Sequence, residues 1–254
     1  MYIQWIVLFA SFGQIFAGWT PERIVGGQSV KISSVPWQAS LQVWGEHDCG
    51  AVIYSKQVLI TAAHCVVGRL PSILTVRVGS SLWNSGGQLV NVSHYIAHEN
   101  YHLPANESND VAVIRLQKPL RFNKNVKPIP LATTSPASGS LAIVSGWGST
   151  GWQMAGSTNL LVVKLPIIDY ESCLKTAYQG ITDDMICAAA PGKDSCSGDS
   201  GGPLVFGDQL VGIVSFGRDC AHPTYPGVYA DVAKLRPWLL QAIKRIQQAK
   251  QHIK

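Results

Sequence analysis

From Ile24 to about Val232 the chain carries its apolar residues in short runs, each cut off by Gly, Pro, Asn or Ser. Such spacing suits strands joined by turns and leaves no regular place for the ~10–15-residue helices of a βαβ repeat. The stretch is therefore expected to be all-β, folded as a barrel or a sandwich. Trp37–Val43 leans towards alternation, and Val58–Thr61, Leu74–Val78, Asp110–Leu116, Leu141–Ser145, Leu160–Leu165 and Gln209–Phe216 are further strand candidates. No internal repeat or low-complexity tract interrupts the pattern. Only the end is helical in character. Pro237 fits a first helical turn, and Trp238, Leu239, Ala242, Ile243 and Ile246 share a stripe with Lys244, Arg245 and Lys250 largely opposite. A helix packed on the body with a basic tail is expected there, with contact to a membrane surface or polyanion as the secondary reading.

Composition narrows the class. With 254 residues, 46% apolar and 14% charged, the chain buries a large core and is not a disordered or solvating polymer. Its formal net charge of +5 is concentrated at one end: six of the 20 Lys/Arg and none of the 15 Asp/Glu lie from Lys234 onward. The remainder has no broad basic face for nucleic acid. Met1 to Ala17 is almost wholly apolar and ends at the small residues Ala17 and Gly18, as secretory signal peptides do. A signal anchor competes with that reading, but the run is short for a bilayer span. Six cysteines suit an oxidising compartment, and no C-x-x-C pair suggests structural zinc. Spacing alone leaves their connectivity open.

Three segments carry chemistry: Thr61-Ala-Ala-His64-Cys65, Asn109-Asp110-Val-Ala-Val and Gly198-Asp199-Ser200-Gly201-Gly202-Pro203. A serine hydroxyl is a weak nucleophile and needs a neighbouring base. Histidine suits that task, and a carboxylate fixes its tautomer and stabilises the imidazolium. Glycines around Ser200 let the backbone approach a substrate and turn N–H groups towards its carbonyl oxygen. The Gly198–Gly202 segment also fits the G-x-S-x-G elbow of α/β-hydrolases. In that fold the acid and histidine follow the serine inside a βαβ framework. After Ser200 only His222 and His252 remain, with no parallel-sheet pattern.

Together the three segments closely resemble the trypsin/chymotrypsin family of serine peptidases over Ile24 to roughly Trp238. The serine–histidine–aspartate triad roles given below are the established ones of this family. The resemblance implies an all-β fold of two packed antiparallel six-stranded β-barrels, about 24–131 and 132–232, followed by a C-terminal α-helix. Residues 1–17 would be the signal peptide, 18–23 an activation propeptide and 24–254 the peptidase domain. It makes His64 the general base and acid, Asp110 its orienting carboxylate and Ser200 the nucleophile, with the N–H groups of Gly198 and Ser200 as oxyanion hole. Arg23-Ile24-Val25-Gly26-Gly27 resembles the family's activation site, where the freed Ile24 amino group pairs with Asp199. Asp194 would lie at the floor of the primary pocket and select Arg or Lys. Gly217 and Gly227 would keep its walls open, Ser195 would lie on the wall, and Ser215 and Phe216 would form the edge that pairs with substrate backbone.

Departures from the family pattern are informative. Phe216 replaces the usual tryptophan. Asp219 replaces a glycine near the pocket mouth, where it either strengthens attraction for basic substrates or obstructs them. By resemblance the bridges are Cys49–Cys65, Cys173–Cys187 and Cys196–Cys220. Ala142 and Phe206 stand where vertebrate trypsins have a further pair, a pattern closer to invertebrate digestive or reproductive-tract trypsins. Gly79–Gln88 has no Asp or Glu, so the family's calcium loop is not reproduced and no metal or other cofactor is expected. His94, His98 and His102 recur every four residues but are taken as scattered surface histidines. Asn91-Val-Ser93 and Asn106-Glu-Ser108 are glycosylation sequons, the second beside the cleft, where a glycan or Glu107 itself would restrict access or favour basic residues. The expected protein is a secreted, monomeric zymogen. Its partners would be Arg/Lys-containing protein or peptide substrates, protease inhibitors and an activating protease, with no nucleic acid or membrane. A catalytically inactive homologue acting as a binding or regulatory protein is the alternative from another class; such proteins usually lose a triad member.

Overall fold

The computed structural model describes residues 26–149, 151, 155–176, 178 and 180–248. The signal segment, the propeptide, Arg23 and Ile24 lie outside them.

Among these described residues thirteen strands and two α-helices follow in chain order. A two-residue strand, β1 (Gln28–Ser29), precedes β2 (Gln38–Val43), β3 (Glu46–Ile53), β4 (Val58–Thr61), β5 (Leu74–Val78), β6 (Gln88–Ala97) and β7 (Ala112–Leu116). Strands β2 to β7 close into an antiparallel barrel in the order β2-β3-β4-β7-β6-β5. Then come β8 (Leu141–Gly146), β9 (Leu161–Ile168), the short helix α1 (Tyr170–Leu174), β10 (Met185–Ala188), β11 (Pro203–Phe206), β12 (Gln209–Phe216) and β13 (Gly227–Asp231). These strands form the order β9-β10-β13-β12-β11-β8, closed by the β8–β9 pair, as a second six-stranded barrel. Although β1 comes from the stretch that precedes the first barrel, it pairs with β9 of the second. The expected architecture is present.

Local sequence explains the turns. Trp44 and Gly45 join β2 to β3, and Gly207 and Asp208 join β11 to β12, all four with positive φ. Two successive left-handed residues match the right-handed twist of a hairpin. Trp44 adopts that conformation while 78% exposed.

The first core buries Leu41, Ile53, Leu59, Ile60, Leu74 and Ile114 in one cluster, each at ~2 kcal/mol for full burial. The second core gathers Val144, Leu165, Ile186, Leu204 and Tyr229. The C-terminal helix α2 (Val232–Gln248) lays Leu239, Ala242, Ile243 and Ile246 on the first core. It starts earlier than Pro237 suggested, because the Asp231 carboxylate accepts from Ala233 N–H at 2.9 Å and caps the helix. Pro237 consequently sits inside the helix. At the far end Arg115 of β7 donates to the carbonyls of Ile246 (2.6 Å) and Gln247 (3.0 Å), placing a cation where the helix dipole favours one. No helix of the described residues is long and apolar enough to cross a membrane.

The barrels meet along polar and glycine contacts. Gly50 N–H donates to Ser200 C=O at 2.7 Å, and Ser145 Oγ donates to Gln38 Oε1 at 2.6 Å.

Candidate active site

His64 stands on the turn that leaves β4, between the buried Ala63 and Cys65. A Cys49–Cys65 bridge, Cα–Cα 6.2 Å, fastens that turn to β3. Asp110 immediately precedes Val111 and β7 and is wholly buried. Its Oδ1 accepts from the His64 backbone N–H at 3.0 Å, and its Oδ2 lies 2.7 Å from His64 Nδ1. The carboxylate therefore fixes both main chain and ring, and leaves Nε2 as the ring's other nitrogen. From the second barrel, Ser215 Oγ donates to Asp110 Oδ2 at 2.6 Å. Burial works to lower the His64 pKa, but the hydrogen bond and charge of Asp110, with Glu107 and Asp48, outweigh it and hold the imidazole above its ordinary value.

A second cross-barrel clamp precedes Asp110. Asn109 has a left-handed backbone (φ 56°), and its N–H donates to Asp184 Oδ2 at 2.6 Å. Thr182 Oγ1 donates to the other Asp184 oxygen and lies 3.0 Å from Ser108 Oγ. The chain thus enters Asp110 already fixed.

Ser200 lies on the turn before β11. Gly198 (φ 95°) and Gly201 (φ 76°) adopt conformations that side chains resist. The glycines after Ser200 also serve close backbone packing. A Cβ at Gly201 would collide with Thr61 Oγ1 and the Gly50 carbonyl, and one at Gly202 would lie 2.7 Å from the Asp199 carbonyl. Around the turn, Asp199 N–H bonds Cys196 C=O and Gly201 N–H bonds Val214 C=O, at 2.9 and 2.7 Å. Among the described residues the N–H groups of Gly198 and Ser200 have no acceptor, so one turn carries two free donors on either side of Asp199. The Gly198 carbonyl is held from behind by His47 Nε2 at 2.9 Å, whose Nδ1 meets Ser40 Oγ at 2.8 Å. Burial lowers the His47 pKa to about 4, so this histidine is neutral and donates to the carbonyl. Among the described residues no hydrogen bond joins Ser200 Oγ to His64 Nε2; such a contact commonly tightens only when substrate binds.

Asp199 turns inward, accepting from Gly148 N–H (2.9 Å) and Cys196 N–H (3.0 Å). Complete burial pushes its pKa up to about 6 despite both donors. An anion so enclosed calls for a cation.

Beside Ser200 opens a cavity of about 220 Å³, lined by Ser195, Ser215, Phe216, Gly217, Asp219 and Gly227 among others. Asp194 lies behind Gly227: a Cβ on that glycine would stand 2.7 Å from Asp194 Oδ1. Asp194 is 1% exposed; its Oδ2 accepts from Ala221 N–H at 3.0 Å, while Oδ1 has no partner among the described residues. Burial pushes its pKa up to about 7. Ser195 Oγ lies 3.1 Å from Tyr229 Oη, which shapes the wall between them. Cys196–Cys220, Cα–Cα 5.3 Å, ties the two sides of the cavity, and Cys173–Cys187 joins α1 to β10. Asp219 lines the cavity with Gly217 rather than standing apart from it.

Of the remaining expected residues, Asn91 on β6 and Asn106 on the loop before Asp110 are both exposed. His98 stacks on Trp238 and His102 on Tyr101, and neither converges with His94. Two donor groups among the described residues could hold a metal. In Cys49/His64/Cys65 the sulfurs are spent in the bridge; the other is His64/Glu107/Asp110. Sequence reasoning missed His47, Asp184 and Tyr229, and gave Ser215 only a backbone-edge role. None belongs to a local motif; each is brought in by strand register.

The family model described as Trypsin matches residues 24–239. Trypsin alpha of Drosophila melanogaster is 48% identical over 251 residues, covering 94% of this chain and 96% of that protein. Trypsin alpha-4 of Lucilia cuprina is 45% identical over 255 residues, covering 96% of this chain and 100% of its own length. Among solved structures, mouse neuropsin, a serine protease expressed in the limbic system of the brain, superposes with a TM-score of 0.79 at 34% identity, covering 85% of this chain and 98% of neuropsin.

Proposed function

Since the chain belongs to the trypsin family and is a serine endopeptidase, we propose that it is a secreted zymogen, activated by cleavage after Arg23, that hydrolyses peptide bonds following Arg or Lys. The observation that carries this reading is the pairing of His64 with the buried Asp110 beside a Ser200-lined cavity that has Asp194 behind it.

Ser200 Oγ attacks the scissile carbonyl carbon while His64 Nε2 takes its proton. Asp110 stabilises the imidazolium through Nδ1–H, and Ser215 keeps the carboxylate aimed. The carbonyl π electrons move to oxygen, which the N–H groups of Gly198 and Ser200 receive. His64 then gives the proton to the leaving nitrogen as the C–N bond breaks. Water, deprotonated by His64, repeats the sequence on the acyl-enzyme and releases the acid and the serine. Asp194 ionises when a guanidinium or ammonium fills the cavity, whereas an apolar side chain leaves it unpaired. The Ile24 amino group, once freed, supplies the cation that Asp199 calls for and holds the Gly198–Ser200 turn. The three bridges and the apolar leader support export to an oxidising compartment.

Activation by a tryptic cut after Arg23, followed by peptide-library profiling with Ser200→Ala as control, tests this. Cleavage confined to bonds after Arg and Lys, absent in Ser200→Ala, is expected. Full activity of uncleaved Arg23→Gln protein would remove the activation step, and preference for apolar residues would remove the Asp194 role.

A further inference from the structure

We propose that Glu107 forms a second acidic subsite beside His64, so that the enzyme favours Lys or Arg at the residue immediately N-terminal to the Arg or Lys whose bond is cut. This rests on the proposed Arg/Lys specificity and extends it to pairs of basic residues.

The carboxylate is already in place. Ligand atoms of His64, Glu107 and Asp110 all lie within 4.8 Å of one another. Tyr101 Oη donates to Glu107 Oε2 at 2.8 Å, and Glu107 N–H donates to His102 Nδ1 at 3.2 Å, so side chain and backbone are both tethered. Among the described residues no Lys or Arg pairs with Glu107, since the ion pairs there are His64–Asp110 and Arg69–Asp48. The groups facing it are a histidine, a second carboxylate, a phenol and the His102 ring.

The path of an extended substrate brings a side chain there. Successive side chains of a strand point to opposite faces. When one enters the cavity between Ser195, Gly217 and Gly227, the preceding one points away from it. Ser215 lines the cavity and donates to Asp110 Oδ2, and ligand atoms of Asp110, His64 and Glu107 lie within 4.8 Å of one another, so His64 and Glu107 stand next to the Ser215 side of the cavity. In the proposed binding mode the preceding side chain, turned out of the cavity beside Ser215, runs past His64 towards Glu107. A long cationic chain reaches the carboxylate there in a cleft from which the substrate excludes water, where a charge-assisted pair is worth more than on open surface. Asp194 and Glu107 then read adjacent residues with the same sign of charge.

Activated full-length enzyme should be assayed for kcat/KM on fluorogenic peptides with Arg at the cleaved bond and Lys, Arg, norleucine or Glu before it. Norleucine keeps the length of lysine without its charge. The expected Lys-to-norleucine ratio is about tenfold at low salt, shrinking towards about twofold in Glu107→Gln. Absolute rates in the variant are free to change, because Glu107 also bears on the His64 charge; the ratio is the readout. A wild-type ratio near one, or one unaltered in Glu107→Gln, overturns the proposal. Loss of the requirement for Arg or Lys at the cleaved bond itself would instead overturn the specificity on which it rests.

Discussion

Asp194 should make binding of cationic ligands pH-dependent in a way that reports its burial. Raising an aspartate from the ordinary 3.8 to about 7 disfavours the anion by ~4 kcal/mol at 1.36 kcal/mol per pH unit. A guanidinium or amidinium requires the anion, so below pH ~7 binding must first expel a proton, at ~tenfold in affinity per pH unit. An arylamidinium bound to cleaved Ser200→Ala protein should therefore be roughly a hundredfold weaker at pH 5 than at pH 8. Calorimetry in buffers of different ionisation enthalpy should show close to one proton released at pH 5 and almost none at pH 8. For stability of the empty protein the sign is opposite to that of a salt-bridged acid. The raised carboxyl holds its proton more tightly when folded, so its contribution is full below pH ~4 and lost as pH rises through ~7. Asp194→Asn should accordingly unfold at higher temperature than wild type at pH 8, with ~4 kcal/mol as the ceiling. Affinity that is flat from pH 5 to 8 would refute the claim that Asp194 is desolvated behind Gly227.

The raised His64 pKa predicts that kcat/KM climbs through a midpoint above 6.5 as the imidazole loses its proton. In Asp110→Asn burial is left to dominate, and NMR titration of the ring should place its midpoint below the ordinary value. Gly201→Ala forces a Cβ into Thr61 and Gly50 at φ 76° and should cost ~3 kcal/mol or more by denaturant unfolding. Asp184→Ala strands the Asn109 N–H and should cost ~1–3 kcal/mol, lowering kcat more than it changes KM. An unchanged kcat there would limit Asp184 to stability.

The class of fold was legible because the apolar runs are short and punctuated, and the strand candidates at Val58–Thr61, Leu74–Val78 and Gln209–Phe216 match the observed elements. Others were hidden. Met185–Ala188 and Gly227–Asp231 are buried throughout, so neither shows a polar alternation to betray a strand. The start of α2 was misplaced because Pro237 is a stronger local signal than an aspartate whose capping role depends on where β13 ends. Local motifs presented His64, Asp110 and Ser200. Their supports arrive from far along the chain, as Ser215 does at a separation of 105 residues from Asp110, and no spacing rule encodes that. The packing contact at Gly201 was illegible for the same reason: its neighbours Thr61 and Gly50 belong to the other barrel.

The most direct test of the account is mass mapping of the activated enzyme after reaction with a phosphonate ester that carries an amidinium side chain. A single adduct on Ser200, slowed strongly by Asp194→Asn and abolished by His64→Ala, is the predicted result. An adduct on another residue, or none on protein whose new amino terminus at Ile24 has been verified, would contradict it.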